Sequence, residues 1–224
     1  MTAPATGPLV KVCGITRLAD AQVALDCGAA ALGFVFYPPS PRKISPEAAA
    51  QLIAQLPPFV TTVGVFVNET AAEMNRIARL CRLDRLQLHG EEPYALLGEL
   101  ERPSYRAFRP RSDAEAAALE TEPDGTLLLD TFHEGLYGGT GRSFNWEWAA
   151  RMARRRRIIL AGGLTADNVG AAVTAVRPYG LDVSSSMEAA PGIKDPARIT
   201  AFFQALAQLP GRTSPQGATH ASAT

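Results

Sequence analysis

Two residues of this chain combine a proton-transferring type with a strand-end position. Cys13 ends the run Leu9-Val10-Lys11-Val12-Cys13 just before Gly14, and Asp130 ends Thr126-Leu127-Leu128-Leu129-Asp130. A thiolate takes a proton and a carboxylic acid delivers one, each contributing typically about 10²–10⁴-fold to a rate. Cys13 has two readings: a small buried hydrophobe, or a base whose pKa Lys11 or another cation of the site lowers. Asp130 is held by a rigid strand, and no helical pattern begins at Phe132-His133 for it to cap. Cys27 and Cys81 fall on apolar helix faces and read as core.

A second kind of chemistry is written at Ile158-Ile159-Leu160-Ala161-Gly162-Gly163-Leu164-Thr165. Four apolar residues run into two glycines, and Thr165 then opens an Ala- and Val-rich helical segment with Asn168 three residues on. Glycines let the backbone approach a ligand, and a helix N-terminus favours an anion. The run Leu181-Asp182-Val183-Ser184-Ser185-Ser186 likewise ends in small residues. Two neighbouring strands of this kind make a phosphate cradle.

Other candidates are less specific. Arg42 lies between prolines in the loop Tyr37–Ile44 with Ser40, and reads either as a carboxylate-binding fork or as a solvated side chain. His89 and His133 are acid–base types that more often play structural parts. The four arginines Arg154–Arg157 read as a helix end complementing its dipole, not as a nucleic-acid patch.

The elements that must position these residues recur with a regular spacing. Strand starts fall near residues 9, 31, 61, 85, 104, 126, 157 and 181. The gaps approach the ~30 residues of a βα unit. Each strand is a short continuous apolar run followed by a helical pattern, the mark of a parallel sheet covered by helices. Start signals predict the helices: Thr16 as a cap, Ser45-Pro46, the boxes Thr70/Glu73 and Ser112/Glu115, Glu92-Pro93, Asn145, and Asp195-Pro196. Closure gives a single (β/α)8 barrel over residues 9–208, with a flexible tail at 1–8 and a disordered polar tail at 210–224. An open doubly wound sheet would carry a glycine fingerprint after its first strand, and Cys13-Gly14-Ile15-Thr16 is not one. In a barrel, Cys13 and Asp130 face each other across one mouth.

Composition excludes several function classes. The 224 residues are 46% hydrophobic, enough for a full core. Lys+Arg and Asp+Glu are both 22, so no net field favours nucleic acid or an anionic membrane. No apolar run approaches the ~20 residues that span a bilayer. Three cysteines without a metal-ligand spacing indicate a reduced, cytoplasmic setting and no structural zinc.

The ordered motifs resemble the phosphoribosylanthranilate isomerase family of tryptophan biosynthesis. They are Lys11-Val12-Cys13-Gly14-Ile15-Thr16, Gly33–Phe36 with Ser40-Pro41-Arg42, Val63–Asn68, Gln87-Leu88-His89-Gly90, and Leu128–Thr131. Gly138-Gly139-Thr140-Gly141 with Phe144 and Trp146, Gly162-Gly163-Leu164 with Asn168, and Asp182–Ser185 with Glu188, Pro191-Gly192 and Lys194-Asp195 complete them. The resemblance implies an Amadori rearrangement of a phosphosugar, with no cofactor and no metal. It implies Asp130 as general acid on the furanose ring oxygen, Cys13 as general base at the sugar C2, and Arg42 on the anthranilate carboxylate. It also implies a phosphate site at Gly162, Gly163, Ser184, Ser185 and Ser186, with Asp182 beside the sugar. The acting unit is expected to be a monomer or a homodimer. This chain departs from the family pattern at Ser186, where glycine is usual; a negative φ is expected there, with the backbone N–H still available to an anion. The related histidine-pathway isomerase is the runner-up, and its family carries aspartate where Cys13 stands. A phosphate sensor that has lost catalysis is expected to lack Cys13 or Asp130.

Overall fold

A computed structural model describes residues 7–123, 125–130 and 146–209. Eight parallel strands close in sequence order into a barrel: β1 (Leu9–Cys13), β2 (Ala31–Val35), β3 (Thr61–Phe66), β4 (Arg85–Leu88), β5 (Ser104–Phe108), β6 (Leu127–Asp130), β7 (Ile158–Ala161) and β8 (Gly180–Val183). Closure is by β8 on β1, with Leu9 opposite Gly180 and Lys11 opposite Asp182. Around it lie α1 (Leu18–Asp26), α2 (Pro46–Ile53), α3 (Ala71–Cys81), α4 (Asp113–Leu119), α5 (Trp146–Ala153), α6 (Val169–Val176) and α7 (Pro196–Ala207). The expected barrel and its strand order are therefore present.

The alternation of each strand explains why the runs read as uniformly apolar. Outward residues such as Val10, Val12, Leu32, Phe34, Leu86, Leu88, Leu127, Leu129 and Leu160 pack against the helices in one large cluster. Inward residues form smaller layers, with Val63, Tyr105, Ala107, Leu128 and Ala161 in one, and Cys13, Val35 and Val65 above it. Both faces of a barrel strand are buried, so no polar face interrupts the pattern.

Helix starts are mixed. Ser45 caps α2 by accepting from the Ala48 N–H, and Asp195 caps α7 by accepting from Ala197 and Arg198. Thr70 and Ser112 accept from the N–H of Glu73 and Glu115. The reciprocal half of each box is missing: Glu73 turns to Arg76, and Glu115 accepts from the Arg111 N–H. Thr16 is no cap. Arg17 occupies that position, and the Thr16 hydroxyl donates instead to the Gly192 carbonyl at 2.5 Å.

Three further expectations are corrected. The segment after Glu92-Pro93 forms a 3-10 turn, Tyr94–Glu99, not an α-helix. The buried Glu92 carboxylate accepts from the backbone N–H groups of Asn68 and Gly90, so it serves the loop and caps nothing. Helix α6 opens at Val169 and not at Thr165, because the Asn168 side chain folds back, accepting from Thr165 N–H and donating to the Gly163 carbonyl. The eighth strand ends at Val183; a 3-10 turn Ser185–Met187 follows, then an unanticipated antiparallel hairpin, β9 (Glu188–Ala190) and β10 (Ile193–Lys194). The Gly138–Gly141 motif, His133, Phe144, the Asn145 cap and the tails at 1–6 and 210–224 lie outside the described residues.

Candidate active site

The strand ends of the barrel open onto a cavity of about 400 Å³. Its lining brings together the residues that the family resemblance assigned to the site: Cys13, Arg42, Asp130, Gly162, Gly163, Asp182, Ser184, Ser185 and Ser186. His89 lines it too, and so does Arg109. A second cavity, about 300 Å³, opens at the opposite end among strand starts such as Thr61, Arg85 and Ser104; of the residues given a chemical part above, only Lys11 borders it.

Cys13 lies on the inner face of β1, two residues after Lys11. Both are buried. Gly33 of β2 stands opposite Cys13, and its lack of a side chain makes their space: a Cβ there would lie 2.7 Å from Cys13 Sγ and 2.9 Å from Lys11 Cε. Burial pushes the Cys13 thiol above its ordinary pKa, and the hydrogen bond and positive charge of Lys11 counter this only in part. The expectation of a lowered thiol pKa is therefore not met. Removing a thiolate from water costs more than one nearby ammonium returns when that ammonium is already neutralised.

Lys11 is neutralised by Asp182. Its Nζ donates to both carboxylate oxygens of Asp182 and to Gln87 Oε1, each at 3.0 Å. Burial is the largest single effect and opposes the charge, but the charge and hydrogen bond of Asp182, together with Cys13 and Tyr105, outweigh it and hold the ammonium well above the usual lysine range. Tyr105 also donates to Gln87 Oε1, at 3.0 Å. With that oxygen accepting twice, the Gln87 amide nitrogen is left facing His89 Nδ1 at 3.0 Å. An amide nitrogen only donates, so Nδ1 accepts, and the neutral ring carries its proton on Nε2. Burial holds the His89 pKa down, in keeping with a neutral ring.

Asp130 is buried at the end of β6. Arg109, the residue after β5, meets it: Nε donates to Oδ2 at 3.1 Å and Nη2 to the same oxygen. The arginine side chain is 51% exposed, whereas that of Asp130 is 11% exposed.

Arg42 is no solvated loop residue. Its Nε and Nη2 make a bidentate contact with Glu188, at 2.9 and 2.8 Å. That side edge of the guanidinium is occupied, which leaves the end bearing Nη1 and Nη2 for a ligand. Gly162 and Gly163 both take positive φ, 94° and 63°, so the conformation of the turn after β7 favours glycine at both positions. Ser186 keeps a negative φ, as expected, and the Ser184 hydroxyl donates to the Cys13 carbonyl at 3.2 Å.

Sequence reasoning missed Arg109, Gln87, Tyr105 and the hairpin residues Glu188 and Lys194 as parts of the site. A positional signal existed for two of them. Gln87 shares a strand face with the following His89, and Arg109 directly follows a strand end at the mouth.

Residues 10–205 match the family described as N-(5'-phosphoribosyl)anthranilate (PRA) isomerase. The isomerase of Pelobacter propionicus is 50% identical over 195 residues, covering 87% of this chain and 93% of the relative. That of Pseudomonas putida is 49% identical over 201 residues, covering 88% and 97%. Among solved structures, phosphoribosyl anthranilate isomerase from Thermotoga maritima superposes with a TM-score of 0.82 at 40% identity, covering 88% of this chain and 98% of that one. Another, in complex with reduced 1-(o-carboxyphenylamino)-1-deoxyribulose 5-phosphate, has a TM-score of 0.80 at 39% identity, covering 88% and 97%. With strand order, mouth and sequence in agreement over this length, the chain belongs to the N-(5'-phosphoribosyl)anthranilate isomerase family.

Proposed function

We propose that this isomerase of tryptophan biosynthesis converts N-(5-phosphoribosyl)anthranilate into 1-(2-carboxyphenylamino)-1-deoxyribulose 5-phosphate, with Asp130 as general acid and Cys13 as general base. The observation that carries the reading is the convergence of an acid, a thiol beside a buried ammonium, an arginine end and a two-glycine turn on one barrel mouth. Asp130 protonates the furanose ring oxygen, and the ring opens to a Schiff base. The Cys13 thiolate then removes the proton from C2, and the resulting enolamine becomes the ketose. Each transfer needs only a positioned side chain, so no metal or cofactor is called for.

The resting charges are not yet those of the reaction. The thiol carries its proton, and Asp130 is paired with Arg109. Turnover requires the half-exposed Arg109 to yield the carboxyl oxygen so that Asp130 can take up the proton it delivers, and Cys13 to give up its own proton beside Lys11. Arg42 receives the anthranilate carboxylate end-on. Backbone N–H groups around Gly163 and Ser184–Ser186 take the phosphate, and Asp182 adjoins the sugar. We assign residues 9–208 as the catalytic unit and the cytoplasm as its setting, in keeping with three cysteines that are all free thiols. A relative from Thermotoga maritima is described as dimeric; as a monomer or a homodimer, this chain carries the assigned residues on its own mouth.

The test follows the fluorescence decay of freshly prepared phosphoribosylanthranilate on adding the purified chain. Wild type should consume it, and Cys13→Ala and Asp130→Asn should each lose at least tenfold in kcat, about 1.4 kcal/mol of barrier, while remaining folded. A variant retaining more than about a tenth of wild-type kcat removes that residue from its role.

A further inference from the structure

Glu188 and Lys194 lie on the β9–β10 hairpin, outside the strands that carry Cys13 and Asp130. Their side chains are 4% and 0% exposed, with Lys194 Nζ 3.0 Å from Glu188 Oε1. A buried ion pair is a weak source of stability, because both ions lose their water. Its contacts point to another use. Besides Lys194, the Glu188 carboxylate accepts from Arg42 Nε and Nη2 and from the Gly192 N–H. Lys194 donates in addition to the Ser184 carbonyl at 3.2 Å, and Ser184 itself donates to the carbonyl of Cys13. Two cations share one carboxylate, so the cluster keeps a net positive charge, with Arg42 alone of the three on the cavity wall.

We infer that Glu188, with Lys194 behind it, is a positioning residue that presents the end of the Arg42 guanidinium to the ligand carboxylate and ties that arm to the Ser184–Ser186 turn. An arginine on a loop is otherwise free to rotate, and ordering it beforehand strengthens binding by removing that cost from the association step. Burial works to raise the Glu188 pKa, yet the hydrogen bonds of Arg42 and Lys194 hold it below the usual carboxylate range, so the anchor stays charged. The inference rests on the assignment of Arg42 to the anthranilate carboxylate.

The experiment compares steady-state kinetics of Arg42→Ala, Arg42→Ala/Glu188→Gln/Lys194→Met and Glu188→Gln/Lys194→Met in the full chain. The last removes both buried charges together, so that none is stranded. It should raise KM at least tenfold with kcat within threefold of wild type, a split that a general loss of structure does not produce. Because Glu188 acts through Arg42, adding Glu188→Gln/Lys194→Met to Arg42→Ala should change KM by less than twofold. An unchanged KM in the folded charge-free variant, or effects that multiply in the Arg42 background, overturns the inference. Should the charge-free variant not fold, Glu188→Asp keeps the charge, shortens the reach and carries the same expected rise; a wild-type KM there overturns it equally. Wild type that fails to turn over the substrate sinks the assigned activity instead. A crystal structure of the charge-free variant, or of Glu188→Asp, separates the two failures: Arg42 should lose its single orientation whatever the activity, and an unmoved Arg42 counts against Glu188.

Discussion

At the residue scale the chemistry turns on a thiol that the fold keeps dry. Burial raises the Cys13 pKa, and Lys11 pulls it back by charge and hydrogen bond. A base works only when deprotonated, so the kcat/KM profile, which reports the free enzyme, should keep climbing with pH above the ordinary thiol range. Lys11→Met removes the countering cation and leaves Asp182 unpaired beside the thiol; both changes raise the thiol pKa, so the limb should move to still higher pH. A limb at or below ordinary thiol values, or one that Lys11→Met leaves in place, argues against Cys13 as the titrating base. Gly33 sets the same group by volume. Gly33→Ala would drive a methyl within 3 Å of both Cys13 Sγ and Lys11 Cε. Overpacking of this kind costs about 1–3 kcal/mol of stability. Displacing the thiol should also lower kcat by at least tenfold, about 1.4 kcal/mol of barrier. Thermal unfolding and kcat, measured on one preparation, check both; a normal kcat would show that the thiol needs no such placement.

At the element scale, local signals held where no tertiary partner competed for the same atoms. Ser45 and Asp195 cap their helices as their types suggest, whereas Thr16 was drawn to the hairpin carbonyl of Gly192 and Glu92 to the N–H groups of the β3 and β4 loops. The C-terminal end of α3 shows the reverse case, a local signal that is missing. Arg82 takes the left-handed conformation there, φ 54° and ψ 44°, and is exposed. A side chain in that conformation costs roughly 1–2 kcal/mol, which glycine avoids. Arg82→Gly should therefore raise the stability of the folded chain by about 0.5–1 kcal/mol, after the greater freedom of glycine when unfolded is subtracted. Urea unfolding at equilibrium is the measurement, and a lower midpoint would mean that the arginine side chain holds more than its strain.

At the scale of the whole molecule, one mouth carries both the acid–base pair and the binding groups, and the assigned mechanism moves protons between side chains alone. Exhaustive chelation should leave turnover unchanged; a loss restored by added Zn²⁺ or Mg²⁺ would contradict the assignment. How much of this was legible in the chain follows from the range over which each signal acts. Strand runs at βα spacing, Gly162-Gly163 after a four-residue strand, and the cysteine and aspartate at strand ends are local patterns, so sequence by itself determined the barrel, the mouth and the residues on it. Tertiary structure alone decided what those residues meet. Lys11 and Asp182 are 171 positions apart and Arg42 and Glu188 are 146 apart, and such pairings exist only once β8 closes on β1 and the hairpin packs against the Arg42 side chain. The thiol pKa changed direction for the same reason: a sequence names the nearby cation, but burial, and the carboxylate that already neutralises that cation, are properties of the closed barrel.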